Sequence, residues 1–122
     1  MKILAIDHIQ LAMPPGEEES ARRFYRDLLG FVEIPKPASL AARGGVWFRQ
    51  GTVVLHLGTE TNFRPARKAH PAFLVEGLGE LIIRVRDSGC EMDESQPPLE
   101  GYQRAHVFDP FGNRIELMEK TA

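Results

Sequence analysis

Two periodicities of apolar and polar residues alternate along this chain. Between residues 17 and 29, and again over about 78–88, apolar side chains recur at spacings of three and four, as on one face of an amphipathic helix. Shorter stretches around them alternate apolar and polar residues or are rich in β-branched and aromatic residues, which is typical of β-strands. The order is strand, helix, three strands, and then the same order again. The pattern therefore predicts an α+β fold of two tandem βαβββ modules.

Matching positions in the two halves support an internal duplication. The helix-ending residues Gly30 and Gly89 are 59 residues apart, and Phe48 and Phe108 are 60 apart. We predict one domain over 1–122, with module 1 at about 1–58, a linker at 59–69 and module 2 at about 70–122. The predicted strands are 3–13, 31–35, 45–50, 52–58, 70–75, 90–93, 102–108 and 114–119.

Composition narrows the class of protein. The 122 residues carry a formal net charge of -2, which gives no general reason to expect nucleic acid as a partner. The single cysteine, Cys90, excludes an internal disulfide bond. No apolar run approaches the roughly 18 residues that span a bilayer, and the first residues do not resemble a signal peptide. We expect a cytoplasmic protein with no membrane contact.

Four residues in predicted strands are candidate metal ligands: His8, His56, His70 and Glu116. His8 and His70 are 62 residues apart, and His56 and Glu116 are 60 apart, so each module contributes a pair. A single strand histidine is usually structural, and Glu116 between Ile115 and Leu117 is equally compatible with a solvent-facing carboxylate. The repeat relation favours ligation, because imidazole and carboxylate are common ligands of divalent metals.

Three stretches carry a resemblance to a known family: residues 7–9 (Asp-His-Ile), 24–31 (Phe-Tyr-Arg-Asp-Leu-Leu-Gly-Phe) and 109–117 (Asp-Pro-Phe-Gly-Asn-Arg-Ile-Glu-Leu). Together with the duplication, they resemble the vicinal oxygen chelate superfamily of glyoxalases, epimerases, extradiol dioxygenases and fosfomycin- or bleomycin-resistance proteins. The resemblance implies a half-open eight-stranded barrel. It also implies ligands on the first and fourth strand of each module, the places of the four candidates.

The resemblance implies a metal-dependent lyase or isomerase that chelates a small metabolite through two adjacent oxygens. Glyoxalase I and the epimerase typically have a carboxylate or amide where this chain has His56. Three imidazoles and one carboxylate suit Zn, Ni, Co or Fe. Two alternatives remain open: an extradiol dioxygenase using His8, His70 and Glu116, and a non-catalytic resistance protein that binds a drug or metabolite. The family also implies a homodimer.

Several further residues are expected at the pocket if the barrel closes as in the family. His106 is a candidate proton donor or acceptor beside Glu116, or else a hydrogen-bonded bystander. The basic cluster of the linker, formed by Arg64, Arg67 and Lys68, is either part of a solvated loop or a clamp for an anionic part of the substrate. Trp47 has the opposite strand parity from Phe48 and is predicted to pack under a helix. The predicted substrate-binding set is Gln10, Phe48, Arg64, Arg67, Lys68, Arg104 and Phe108.

Overall fold

The chain forms two compact units, Met1–Arg64 and Pro65–Ala122. A computed structural model describes residues 1–121. Each unit contains one four-stranded sheet and a helix that follows its first strand, so the predicted α+β class and the repeated βαβββ order are confirmed. Among the described residues, no helix is long and apolar enough to cross a membrane.

Unit 1 has the strand order β1-β4-β3-β2. β1 and β4 are parallel, and the remaining pairs are antiparallel. The short helix α2 lies between the predicted strands 31–35 and 45–50, where the sequence pattern predicts no helix. The elements are β1 (Ile9–Met13), α1 (Glu18–Ala21, continued by a π-helical segment, Arg22–Leu28), β2 (Val32–Ile34), α2 (Ala38–Ala41), β3 (Val46–Gln50) and β4 (Val53–Thr59).

Unit 2 repeats this topology with the order β5-β8-β7-β6. β5 and β8 are parallel, and β8 pairs with β7 in antiparallel register. The elements are β5 (Ala72–Leu74), α3 (Leu78–Asp87), β6 (Met92–Asp93), β7 (Tyr102–Phe108) and β8 (Arg114–Lys120).

Aromatic residues make much of the core of unit 1. Tyr25 and Phe48 are completely buried, and their ring centroids lie 5.7 Å apart. Phe31 closes the group, with its ring 6.4 Å from each of theirs. Gly30, at φ 85°, reverses the chain between Tyr25 and Phe31, a backbone conformation that favours glycine. The periodic apolar face of the first helix is therefore the face that packs on the sheet.

The predicted first strand begins too early. Residues 3–8 are in no assigned strand, and Ile3, Leu4 and Ile6 are 79–95% exposed. The register explains the difference: Ile9 pairs with Leu55, and β4 begins only two residues earlier, at Val53. Residues before Asp7 therefore have no neighbouring strand in this sheet to pair with.

The turn between β7 and β8 is built around Asp109. Its Oδ1 accepts hydrogen bonds from the backbone N–H groups of Phe111 and Asn113, at 2.9 and 2.8 Å, and its Oδ2 accepts one from Asn113 Nδ2 at 3.0 Å. Asn113 Oδ1 in turn accepts a hydrogen bond from Ala66 N–H at 3.0 Å. The turn thus links the start of β8 to the segment that leads into β5.

We predict that Asp109→Ala lowers the free energy of unfolding by about 3 kcal/mol, because it leaves one buried N–H group, one partly buried N–H group and the Asn113 amide without their charged acceptor. Chemical denaturation measures the change. Asp87→Ala, at an exposed aspartate that ends α3, is the control and should change stability by less than about 0.5 kcal/mol. Equal effects of the two substitutions would contradict this account of the turn.

Candidate metal centre

Three side chains of unit 2 converge at the middle of β8. Glu116 pairs across the sheet with Ala72 of β5 on one side and with His106 of β7 on the other. His70 lies two residues before Ala72, so strand alternation directs it to the same face of the sheet. The ligating atoms of His70, His106 and Glu116 all lie within 4.8 Å of one another.

Both imidazoles point at the same carboxylate oxygen. His70 Nε2 is 2.9 Å from Glu116 Oε1, and His106 Nε2 is 3.2 Å from that oxygen. The other oxygen, Oε2, accepts a hydrogen bond from Arg104 Nη1 at 3.3 Å. Glu116 is 6% exposed and His106 is 3% exposed, whereas His70 is exposed, so the group opens to solvent on the side of His70.

The ring of His70 has an acceptor at each nitrogen. Nδ1 lies 2.8 Å from the carbonyl oxygen of Lys68, which can only accept, so Nδ1 carries a proton. In the neutral ring, Nε2 then presents a lone pair toward the Glu116 carboxylate. Two lone pairs face each other stably only with a proton or a cation between the two groups.

The donor spacing fits a divalent metal ion. Two ligand atoms bound at about 2.1 Å and at right angles are about 3.0 Å apart, close to the 2.9 and 3.2 Å seen from Glu116 Oε1 to the two imidazoles. Two nitrogens and a carboxylate oxygen are also a donor set that first-row divalent metals accept. The backbone carbonyl on Nδ1 of His70 is the kind of outer partner that orients a histidine ligand.

The protonation states suit metal binding near neutral pH. Burial would raise the pKa of Glu116, but the hydrogen bonds from His70 and Arg104 outweigh it, and the pKa lies below its ordinary value of 4.5. Burial lowers the pKa of His106 despite the nearby carboxylate. Glu116 is therefore ionised and His106 neutral at neutral pH, which leaves their lone pairs available.

Unit 1 presents a different arrangement on the equivalent strands. The rings of His8 and His56 stack with centroids 4.2 Å apart, and Trp47 stacks on His56 at 3.7 Å. Gln10 pairs with His56 in the sheet, and its amide lies against Gly58. Burial, followed by the charge of His8, lowers the pKa of His56. His56 is therefore a neutral imidazole on the same face as His8, as strand parity predicts.

The register corrects the prediction for Trp47. The strand partner of His56 is Trp47, and the partner of Glu116 is His106. Trp47 and His106 are thus the equivalent positions, 59 residues apart, whereas the alignment of Phe48 with Phe108 assumed 60. A shift of one residue moves a strand position to the opposite face. Phe48 consequently packs under the helix, fully buried against Tyr25, and Trp47 lies beside His56.

The basic linker cluster divides into three environments. The Arg67 guanidinium lies 4.3 Å above the Phe108 ring and bonds Glu91 at 3.2 Å, so its charge is used within the unit. Phe108 is 6% exposed. Lys68 contributes its backbone carbonyl to His70, a role that side-chain chemistry does not reveal. Arg64 is exposed, the last residue of unit 1.

Arg104 has two polar partners. Besides Glu116, it donates from Nη2 to the carbonyl oxygen of Pro97 at 2.7 Å, which attaches the loop between β6 and β7 to the carboxylate. Its Nε is buried without a partner among the described residues. Arg104 was predicted to contact the substrate. In the structure its guanidinium group forms an ion pair with Glu116.

Comparison with known proteins decides the family. The sequence profile of the Glyoxalase/Bleomycin resistance protein/Dioxygenase superfamily matches residues 5–117. The chain belongs to this superfamily. A crystal structure from Bacillus anthracis, provisionally assigned to the glyoxalase family, is 46% identical, with a TM-score of 0.88, and the match covers 99% of this chain and 98% of that one.

More distant superfamily structures share the fold. The fosfomycin resistance protein FosX from Listeria monocytogenes is 20% identical with a TM-score of 0.79, over 98% of this chain and 94% of its own. An E126Q mutant of FosX, complexed with Mn(II) and a dihydroxypropylphosphonic acid, gives a TM-score of 0.77 at 20% identity, over 98% and 93% of the two chains. No protein of curated function matches the chain.

We predict that Arg104→Gln raises the pKa of Glu116 in the metal-free protein, because a charged donor is lost from Oε2. Carbon-13 NMR titration of the glutamate carboxyls measures it. A carboxyl group whose pKa is lowered in the folded protein stabilises the fold at pH values above its ordinary pKa of 4.5. This stabilisation is lost as the pH falls through the lowered pKa. The stability difference between wild type and variant should therefore be largest at neutral pH and shrink in acid.

Arg86→Gln is the matched control, since Arg86 pairs with the exposed Glu94 at 2.7 Å. It should leave the titration of Glu116 unchanged. An unchanged Glu116 pKa in Arg104→Gln would show that the arginine does not hold this carboxylate in solution.

Proposed function

We propose that the protein is a metal-dependent enzyme of the glyoxalase type, a lyase or isomerase that acts on a small oxygenated metabolite. The observation that carries this proposal is the convergence of two imidazole nitrogens on one oxygen of a buried, ionised carboxylate. Two imidazoles and a carboxylate gathered at one point suit a divalent cation, because each of them can present a lone pair to the ion.

The proposed ligands are His70 and Glu116 of unit 2 together with His8 and His56 of unit 1. The neutral state of His56 and its position beside His8 support the second pair. Three imidazoles and one carboxylate suit Zn, Ni, Co or Fe. The Mn(II) complex of the FosX mutant is consistent with divalent metal binding on this fold.

The roles of the side chains follow from their contacts. When bound, the metal would act as a Lewis acid toward two adjacent substrate oxygens and stabilise negative charge on them. His106 is neutral and buried, and its Nε2 faces Glu116, so we assign it, together with Glu116, the removal or return of a substrate proton. Arg104 holds Oε2 of Glu116 and thereby fixes the direction of Oε1.

We predict that His70→Ala and Glu116→Gln each weaken binding of Zn(II) or Ni(II) to the metal-free protein by at least roughly 10- to 100-fold. That is the loss expected when only a residue that hydrogen-bonds a metal ligand is removed, and a ligand itself should matter no less. His8→Ala and His56→Ala should also weaken it if all four residues are ligands. Isothermal titration calorimetry gives the affinities, and circular dichroism checks that each variant is folded.

Glu80→Gln, at an exposed position of α3, is the control and should bind metal like the wild type. Unchanged affinity in His70→Ala would exclude the proposed site. Unchanged affinity in His56→Ala alone would reduce it to the three-residue set His8, His70 and Glu116.

A ring-cleaving dioxygenase is the second candidate. The observation in its favour is that two of its three predicted ligands, His70 and Glu116, lie within 2.9 Å of each other. Two histidines and one carboxylate are the composition of non-haem iron sites that leave positions for substrate and oxygen. Bound iron together with oxygen uptake on catechols would favour it over the lyase or isomerase. A fourth ligand at His56 argues for the chelate enzyme, since it removes a position that oxygen needs.

We also propose that the protein is a homodimer. The exposed apolar side chains of Ile3, Leu4 and Ile6 support this, because such residues gathered in one short segment are typical of contact surfaces. Sedimentation equilibrium should give twice the chain mass of 13.7 kDa, and Ile6→Glu should favour the monomer, whereas Lys2→Glu should not. A monomeric wild type at micromolar concentration would contradict the proposal.

A further inference from the structure

A cavity of about 420 Å³ lies within unit 2, beside the candidate metal centre. It is bordered by α3, β6, β7 and the loop that joins the two strands. Its volume falls in the lower part of the range of small-molecule pockets, roughly 300–1,000 Å³. Apolar side chains make up much of its wall, among them Ile82, Met92, Pro97, Pro98, Leu99 and Tyr102.

The cavity and the metal centre share two residues. His106 and Arg104 both line it, and both contact the Glu116 carboxylate, at 3.2 and 3.3 Å. Arg104 also bonds the carbonyl oxygen of Pro97 in the wall. A ligand whose oxygens reach Glu116 and His106 would therefore have the cavity directly beside it.

Each charged side chain of the wall has an oppositely charged neighbour, although Nε of Arg104 is left without a hydrogen-bond partner among the described residues. Arg86 bonds Glu94 at 2.7 Å, and Arg104 bonds Glu116. Asp93 accepts hydrogen bonds from Ser95 and lies 3.3 Å from Arg114. An anionic group entering the cavity would compete with these carboxylates, whereas an apolar group needs only the apolar wall.

We propose that this cavity binds the apolar body of the substrate, an aromatic ring or a branched aliphatic group, while the adjacent oxygens of that substrate bind at the metal centre. The inference rests on the proposed function and names its substrate class: a metabolite with vicinal oxygens next to a ring-sized apolar group. It differs from recognition of an anionic tail by the linker arginines. Burial of this group excludes water from the side of His106.

Two hydroxamates test the inference, because both chelate a metal through two adjacent oxygens and differ in the attached group. Benzohydroxamate carries a phenyl ring and acetohydroxamate a methyl group. With protein loaded with Zn(II) or Ni(II), we expect benzohydroxamate to bind at least about tenfold more tightly, because the ring buries more apolar surface. Calorimetry measures both affinities, and titration of the free metal corrects for the intrinsic difference between the chelators.

Leu99→Ser and Leu74→Ser form a matched pair, since both residues are exposed leucines of unit 2 but only Leu99 lines the cavity. Leu99→Ser should reduce the ratio of the two affinities severalfold with metal binding unchanged, and Leu74→Ser should leave the ratio as in the wild type. Equal binding of the two hydroxamates, or an equal response to both substitutions, would overturn the inference while leaving the proposed function intact. Failure of both hydroxamates to bind metal-loaded protein would instead contradict the proposed chelation.

Discussion

The rest of the site depends on how the two oxygens of the Glu116 carboxylate are held, because each oxygen has different partners. One oxygen faces the imidazoles of His70 and His106, and the other is held by Arg104. A buried carboxylate with these partners stays ionised, because charged hydrogen bonds outweigh the cost of desolvation. The same contacts fix its direction, so the site presents one defined oxygen where a free carboxylate would rotate.

The fold supplies this geometry through backbone contacts around the carboxylate. The turn built on Asp109 and Asn113 links the start of β8 to Ala66, and the carbonyl of Lys68 a few residues later sets the tautomer of His70. Arg104 extends the arrangement to the loop at Pro97. A carboxylate, a histidine and the wall of a cavity are therefore positioned by one connected set of hydrogen bonds.

Periodicity and repeat spacing were sufficient to predict the element order and to pick out His70 and Glu116, because alternation in a strand determines which side chains share a face. The family came from the resemblance of residues 7–9, 24–31 and 109–117. They failed for Trp47, because the turn between β7 and β8 is longer than the turn at Gly51 and Thr52 that joins β3 to β4. A single-residue offset exchanges the faces of β3. Periodicity also extended β1 into residues 3–8, where apolar composition exists without a partner strand. The contribution of the Lys68 carbonyl was invisible, because backbone atoms leave no residue-type signal.

The most direct test of the account is X-ray absorption at the metal edge of protein loaded with one equivalent of Ni(II) or Zn(II). We expect nitrogen and oxygen ligands at about 2.0–2.1 Å from the metal, together with the outer scattering of coordinated imidazole, and a decrease of that imidazole scattering in His70→Ala. A spectrum without imidazole scattering, or one that is identical in the variant, would contradict the claim that this face of β8 is a metal centre.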